Sequence, residues 1–213
     1  DPFEFPDGRI ELHDAQKATR NNAAKYADYA LGRFMDQAMA SPYRDETVFL
    51  IVADHDSRAF GRTLVPVDNF HIPGLILAPG LAPRRDGRLV SQIDLGPTLL
   101  SLVGIADPTP MIGADLTRAQ GPDRALMQYD GNFAYMTGDA MVVLQPSQPA
   151  LVFSRSADGT LLPRASASPG LVRDATMHAL WGTLAYEHGW HTLPGPGGGK
   201  APPVTASRAA DDR

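Results

Sequence analysis

The chain contains no cysteine. Disulfide cross-links and thiolate metal sites are therefore excluded, while the compartment is left open. It also lacks any run approaching the roughly 20 apolar residues of a membrane-spanning helix. Positive charge is in short supply. Lys and Arg number 19 against 24 Asp and Glu, a formal net charge of -5. The basic residues are scattered apart from Pro83-Arg84-Arg85. A nucleic-acid binder presents a basic face, so no nucleic-acid partner is expected. A charged-then-apolar signal pattern is missing from the first residues, and the chain opens at Asp1 without a Met. The expectation is a piece of a longer polypeptide whose upstream half is absent.

What is present suits a globular fold. Hydrophobic residues make up 43% and charged residues 20% of 213 positions. That is enough for one sizeable core, or a core with a small appendage. Residues 1–14 are irregular, punctuated by Pro2, Pro6 and Asp7-Gly8. Residues 14–40 read as a helix with Tyr26, Ala30, Phe34 and Ala38 on one apolar stripe. Ser41-Pro42 ends it, because the proline ring excludes its predecessor from helical geometry.

Thr47 to Val52 (TVFLIV) is a short β-branched run, as in a strand buried on both faces. Ala53-Asp54-His55-Asp56 follows its carboxyl end, where open parallel sheets bind ligands. After a polar loop over 56–71, Ile72 to Ala78 reads as a second strand closed by Pro79-Gly80. Ile93 to Val103 reads as a short helix. Asp94 is its cap or first-turn acid, Pro97 lies in the first turn and Gly104 is the stop. This order predicts an α/β layer architecture.

After about Pro108 the character changes. Ala140 to Leu144, Ala150 to Ser154 and Thr160-Leu161-Leu162 read as strands, with Asp158-Gly159 as the turn between the last two. Together they predict a small antiparallel sheet. Arg173 to His188 reads as a terminal helix. Residues 194–213 are Gly-, Pro- and Ala-rich and read as a disordered tail. The expected division is a core over 1–107, the small sheet and helix over 108–193, and the tail.

Asp54 and His55 carry the chemistry. A carboxylate and an imidazole side by side at a strand end can both reach a divalent cation. By itself the dipeptide is a weak signal, since a lone His is more often a hydrogen-bonded structural residue. Its neighbours add to it. Asn22 to Phe34 (NAAKYADYALGRF), Thr47 to His55 (TVFLIVADH), Phe70 to Gly80 (FHIPGLILAPG) and Ser91 to Gly104 (SQIDLGPTLLSLVG) run in that order. Together they resemble the C-terminal half of the sulfatase and alkaline-phosphatase superfamily. The nearest likeness is its lipoteichoic-acid-synthase-like, phosphoglycerol-transferase branch. The resemblance covers roughly residues 1–145.

The resemblance implies the C-terminal part of a sulfatase-like α/β/α sandwich, followed by the small sheet and helix. It implies Asp54 and His55 as ligands of one divalent metal. Mn is the first choice, with Zn, Mg or Ca as alternatives. In that family a Thr, or a formylglycine in true sulfatases, is the nucleophile near the start of the domain, and an early acidic residue is a further ligand. Both would lie upstream, so this chain alone is expected to be inactive. Asp1-Pro2-Phe3 resembles the residues directly after a family histidine that contacts substrate. The implied partners are the upstream half of its own domain and a small-molecule, lipid or glycan phosphate or sulfate ester. The implied location is the periplasmic or extracellular face of the cytoplasmic membrane, with the parent anchored by upstream transmembrane helices.

Arg62 stands where a family cation can approach the substrate anion, and Arg suits bidentate contacts to phosphate or sulfate. The bland reading is a solvated loop residue. His71 is a substrate contact or a satisfied structural histidine. Asp56 replaces the small residue frequent in the family and could tune the metal from behind. Asp94 reads as a cap rather than a ligand. His178, His188 and His191 read as helix-end residues, Trp181, Tyr186 and Trp190 as packing or interface residues, and Arg84-Arg85 as a solvated turn. Two other parents fit the residues. One is a true sulfatase with Ca, the other a non-catalytic binding module of the cell envelope.

Overall fold

The computed structural model describes residues 3–56, 63–121, 123–157, 159–166 and 168–193. Arg62, Asp158, the Asp1-Pro2 pair and the expected tail over 194–213 lie outside the described residues. The chain forms two compact units, one of Asp1–Ile51 and Leu75–Pro83, the other of Val52–Gly74 and Arg84–Arg213.

The first unit is organised by helix α1, Arg20–Met39. It starts six residues later than the pattern suggests, because Asn22 holds residues 13–17 in a loop. The fully buried Asn22 side chain accepts from the amides of His13 and Asp14 at 2.7 and 3.1 Å. Its Nδ2 donates to the carbonyls of Asp14, Gln16 and Lys17 at 2.9 to 3.2 Å. Thr19 then caps the helix by accepting from the Asn22 amide. Phe5 stacks on Tyr26 at 4.8 Å. The expected apolar stripe is only half used. Ala38 is buried and Tyr26 half-buried, whereas Ala30 and Phe34 are exposed. Strand β1, Phe49–Val52, neighbours strand β2, Gly74–Leu77, in a two-stranded sheet. The sequence suggests burial of β1 on both faces. With one neighbouring strand its residues are half-buried instead, and Val52 is exposed.

The second unit is built on an antiparallel meander of β3 (Arg124–Tyr129), β4 (Asn132–Thr137), β5 (Ala140–Leu144), β6 (Leu151–Arg155) and β7 (Leu161–Arg164), in that spatial order. Successive side chains alternate between its faces. One face gathers Met127, Ala134, Met136, Met141 and Val143 with Val65 from the segment after the dyad. The other gathers Tyr135 and Val142 with Ala175 of helix α3, Pro169–Glu187. Ser168 caps that helix. Complete burial of side chains such as Val142 and Val143 stabilises by about 1.5–3 kcal/mol each.

The β5, β6 and β7 strands fall where the sequence places them. Gly159 takes φ +87° in the connection between β6 and β7. The β3–β4 hairpin was missed. Its signal is Asp130-Gly131 between two apolar runs, and both residues take positive φ, 48° and 76°. The short helix appears as a 3₁₀ turn, Gln92–Asp94, running into α2, Leu95–Leu102. Gly104 ends it at φ +79°. No helix among the described residues is long and apolar enough to cross a membrane.

Candidate metal centre

The dyad stands just past β1. The Ala53 amide donates to the Pro73 carbonyl at 3.2 Å, tying the strand end to the entrance of β2. Beyond that point the backbone leaves the sheet and both dyad side chains face solvent, 87% exposed for Asp54 and 70% for His55. Asp54 Oδ1 accepts from the His55 amide at 2.9 Å. Asp54 Oδ2 lies 3.4 Å from His55 Nε2. His55 Nδ1 lies 2.6 Å from the Asp56 carbonyl.

These three distances define a donor set. A carbonyl can only accept, so His55 Nδ1 carries the hydrogen in that bond. In the neutral ring Nε2 then presents its lone pair. Two acceptor atoms thus face each other at 3.4 Å. A divalent cation placed between them would be held by both atoms. Two ligands each about 2.1 Å from a tetrahedral ion stand about 3.4 Å apart. The pair therefore fits the bite of one small divalent metal. The Asp56 carbonyl also provides the partner that metal-bound histidines use to fix their ring. Asp56 thus contributes its backbone at this point.

Two donors are fewer than the three or four protein ligands of a complete site. Among the described residues no group of three His, Cys, Asp or Glu side chains converges. His71 does not join the dyad in such a group. It ends the 3₁₀ turn Val67–Phe70 and is exposed, two residues before the Pro73 that holds Ala53. The His178, His188 and His191 rings form no metal group either. His178 Nδ1 is 2.8 Å from the Asp174 carbonyl and His191 Nδ1 is 3.0 Å from the Ala185 carbonyl. Trp181 stacks on Trp190 at 5.8 Å.

Sequence reasoning missed the support of the dyad. The Gln92 side-chain amide donates to the carbonyls of Ala53 and Asp54, at 2.8 and 3.1 Å. Gln92 starts the 3₁₀ turn that Asp94 holds in place. Asp94 is completely buried, and its carboxylate accepts from four donors. Arg124 of β3 contributes two at 2.7 and 2.8 Å, the Ala114 amide one at 2.7 Å and the Ser91 amide one at 2.8 Å. Burial works to raise the Asp94 pKa. The Arg124 guanidinium and the two amides outweigh it and hold the carboxyl below its ordinary value. Ser91 Oγ accepts from the Leu126 amide at 2.8 Å, a second tie between this turn and β3. The readable signal was the spacing Ser91-x-x-Asp94, a capping box. Arg124 lies 30 residues away and no local pattern announces it.

Residues 3–105 match the family model described as Sulfatase. The chain is similar to a solved structure of a protein in the alkaline phosphatase superfamily from Vibrio parahaemolyticus. The two share 45% sequence identity at a TM-score of 0.83, over 90% of this chain and 47% of that one. The chain thus spans about half the length of that protein. Ps i-CgsB, free and in complex with k-i-k-neocarrahexaose, matches at TM-scores of 0.51 and 0.52 with 16% identity, over 86% of this chain and 46% of that one. At that identity the likeness concerns the fold alone. The mixed helix and sheet architecture, with its small antiparallel sheet and terminal helix, is the superfamily fold expected from the sequence. Enzymes of this superfamily hydrolyse or transfer phosphate or sulfate esters and generally use divalent metal ions.

Proposed function

We propose that this chain is the C-terminal part of a metal-dependent enzyme of the sulfatase superfamily, with Asp54 and His55 as two ligands of one divalent ion. The observation that carries this reading is the pair of acceptor atoms, Asp54 Oδ2 and His55 Nε2, 3.4 Å apart at the end of an apolar strand. The family match over residues 3–105 supports the same assignment. The remaining ligand and the nucleophile come from the other half of the fold, and this chain by itself turns over no substrate. Mn is the preferred ion, with Zn, Mg or Ca as alternatives. Bound there, the ion would lower the pKa of the nucleophile and neutralise charge on the ester.

The parent enzyme is a phosphoglycerol- or phosphoethanolamine-type transferase or a phosphodiester hydrolase. Upstream transmembrane helices anchor it, and it works at the periplasmic or extracellular face of the cytoplasmic membrane. Its substrate is a small-molecule, lipid or glycan ester. The motif order from Asn22 to Gly104 supports this branch. His71 and Arg62 are proposed contacts to the substrate anion. A second reading, a sulfatase acting on sulfate esters with Ca, is favoured by the description of the matching family.

The test joins this chain to the preceding half of the fold and assays a phosphodiester and a sulfate ester with Mn and with Ca. Phosphodiester turnover that depends on Mn supports the first reading. Asp54→Ala should then lower kcat by about 10²-fold or more, as expected for loss of a stabilising group at a reaction centre. Faster sulfate-ester turnover with Ca selects the second. No turnover of either ester, with metal affinity unchanged by Asp54→Ala, would sink both and leave a non-catalytic envelope module.

A further inference from the structure

The dyad is exposed and sits where the chain leaves the sheet, yet metal ligands work only when their directions are fixed. The two peptide units that bracket Asp54 carry the carbonyls of Ala53 and Asp54. A single side chain holds both. Gln92 Nε2 carries two hydrogens, and its acceptors lie at 2.8 and 3.1 Å. Both acceptors are carbonyls, which fixes the nitrogen end of the amide toward the dyad. With the Ala53 amide bound to Pro73 at 3.2 Å, the backbone entering and leaving Asp54 is held at three points. Clamping those peptide planes sets the direction in which the Asp54 side chain and the His55 amide leave the chain.

Gln92 is itself exposed, so its own rigidity must come from behind. It does, through the buried Asp94 carboxylate with its four donors and through the Ser91 hydroxyl on β3. Gly113 permits the arrangement, since a Cβ there would collide with the Ile93 carbonyl of the same turn. The antiparallel sheet, remote in sequence from the dyad, is thereby connected to it through one turn and one amide.

We propose that Gln92 is a positioning residue of the metal centre, holding Asp54 and His55 in ligating geometry through the carbonyls of Ala53 and Asp54. This rests on the reading of Asp54 and His55 as metal ligands. Gln92 contacts the ligand backbone and not the ion, so its role is indirect, like that of the outer partners that orient metal-bound side chains.

Mn²⁺ titration of this chain joined to the preceding half of the fold, which supplies the remaining ligand, followed by paramagnetic broadening of ¹⁵N–¹H NMR signals, tests it. Gln92→Leu and Gln92→Met remove both donors and keep a side chain of similar length. Gln92 is exposed, so both variants should keep the wild-type melting temperature and unchanged amide shifts over β3 to β7. In the wild type, Mn²⁺ should selectively broaden the signals of Asp54 and His55. In both variants the apparent Kd for that broadening should rise about 10-fold, the lower end of the effect of losing an outer partner. A Kd for Mn²⁺ unchanged in both variants would overturn the positioning role while leaving the metal reading intact. An absence of selective broadening in the wild type would overturn the metal reading, and the inference with it.

Discussion

Two acid-base pairs in this protein use similar chemistry to opposite ends. Asp54 and His55 are adjacent in sequence, 87% and 70% exposed, and meet at 3.4 Å. Asp94 and Arg124 are 30 residues apart, 0% and 2% exposed, and meet through two bonds of 2.7 and 2.8 Å. In the buried pair the carboxylate accepts four hydrogen bonds, so nothing is left over for an outside ligand. In the exposed pair two acceptor atoms stand 3.4 Å apart with lone pairs open to solvent or to a cation. A buried pair whose partners are all internal holds the fold in register. An exposed pair with two acceptor atoms 3.4 Å apart keeps capacity for an outside partner. The difference shows that a carboxylate's role is set by its remaining acceptor capacity rather than by its proximity to a cationic or ionisable side chain.

The comparison breaks most sharply at Arg124. Arg124→Met leaves the Asp94 carboxylate buried without its main partner, and should destabilise the fold by about 3–5 kcal/mol in chemical denaturation. The pH dependence carries the sign. The folded Asp94 pKa lies below its ordinary value of 3.8. The associated stability is therefore fully present above about pH 4 and is lost as pH falls from there toward the folded-state value. In Arg124→Met that acid-side loss should shrink, because burial, which raises the Asp94 pKa, is then opposed only by the Ala114 and Ser91 amides. An unchanged acid limb would remove the special status given to this pair.

A smaller effect is expected at Gly113. Gly113→Ala places a Cβ against the Ile93 carbonyl, so the turn carrying Gln92 and Asp94 must shift. A loss of about 1–3 kcal/mol is expected, the usual cost of overpacking. Denaturation and the chemical shifts of residues 91–94 would report it, and a neutral outcome would show that the turn is looser than its contacts suggest. The smallest effect belongs to the exposed pair. Asp54→Asn should leave stability within about 0.5 kcal/mol of the wild type in the absence of metal, as for other surface substitutions. Equal losses from Asp54→Asn and Arg124→Met would erase the contrast.

Much of the fold is readable because its signals are local. Pro97 in the first turn and Gly104 at φ +79° bracket the short helix from within a few residues. The β5 strand is a run of Ala140 to Leu144 with no competing pattern. The β3–β4 hairpin is also locally encoded, in Asp130-Gly131, whose residues both take positive φ. Other features are not local. Residues 14–19 carry a helical pattern, but Asn22 withdraws them by bonding three of their carbonyls and one of their amides from the next turn. Phe34 fits the expected apolar stripe and is 52% exposed. The candidate site divides in the same way. Asp54-His55 is recognisable as a dipeptide at a strand end, whereas Gln92 reads as an ordinary polar residue until folding places its amide on the carbonyls of Ala53 and Asp54.

The sequence by itself determined which atoms could bind. A carboxylate and an imidazole side by side after a β-branched run, in a chain without cysteine, limit the donors to oxygen and nitrogen. Only the tertiary structure decided that Asp54 Oδ2 and His55 Nε2 converge, that the Asp56 carbonyl settles the imidazole tautomer, and that Gln92 grips the backbone on either side of Asp54. The physical reason is range. Donor chemistry belongs to a residue and travels with it, but direction is imposed by hydrogen bonds from groups up to 39 residues away, which exist only once the chain has folded.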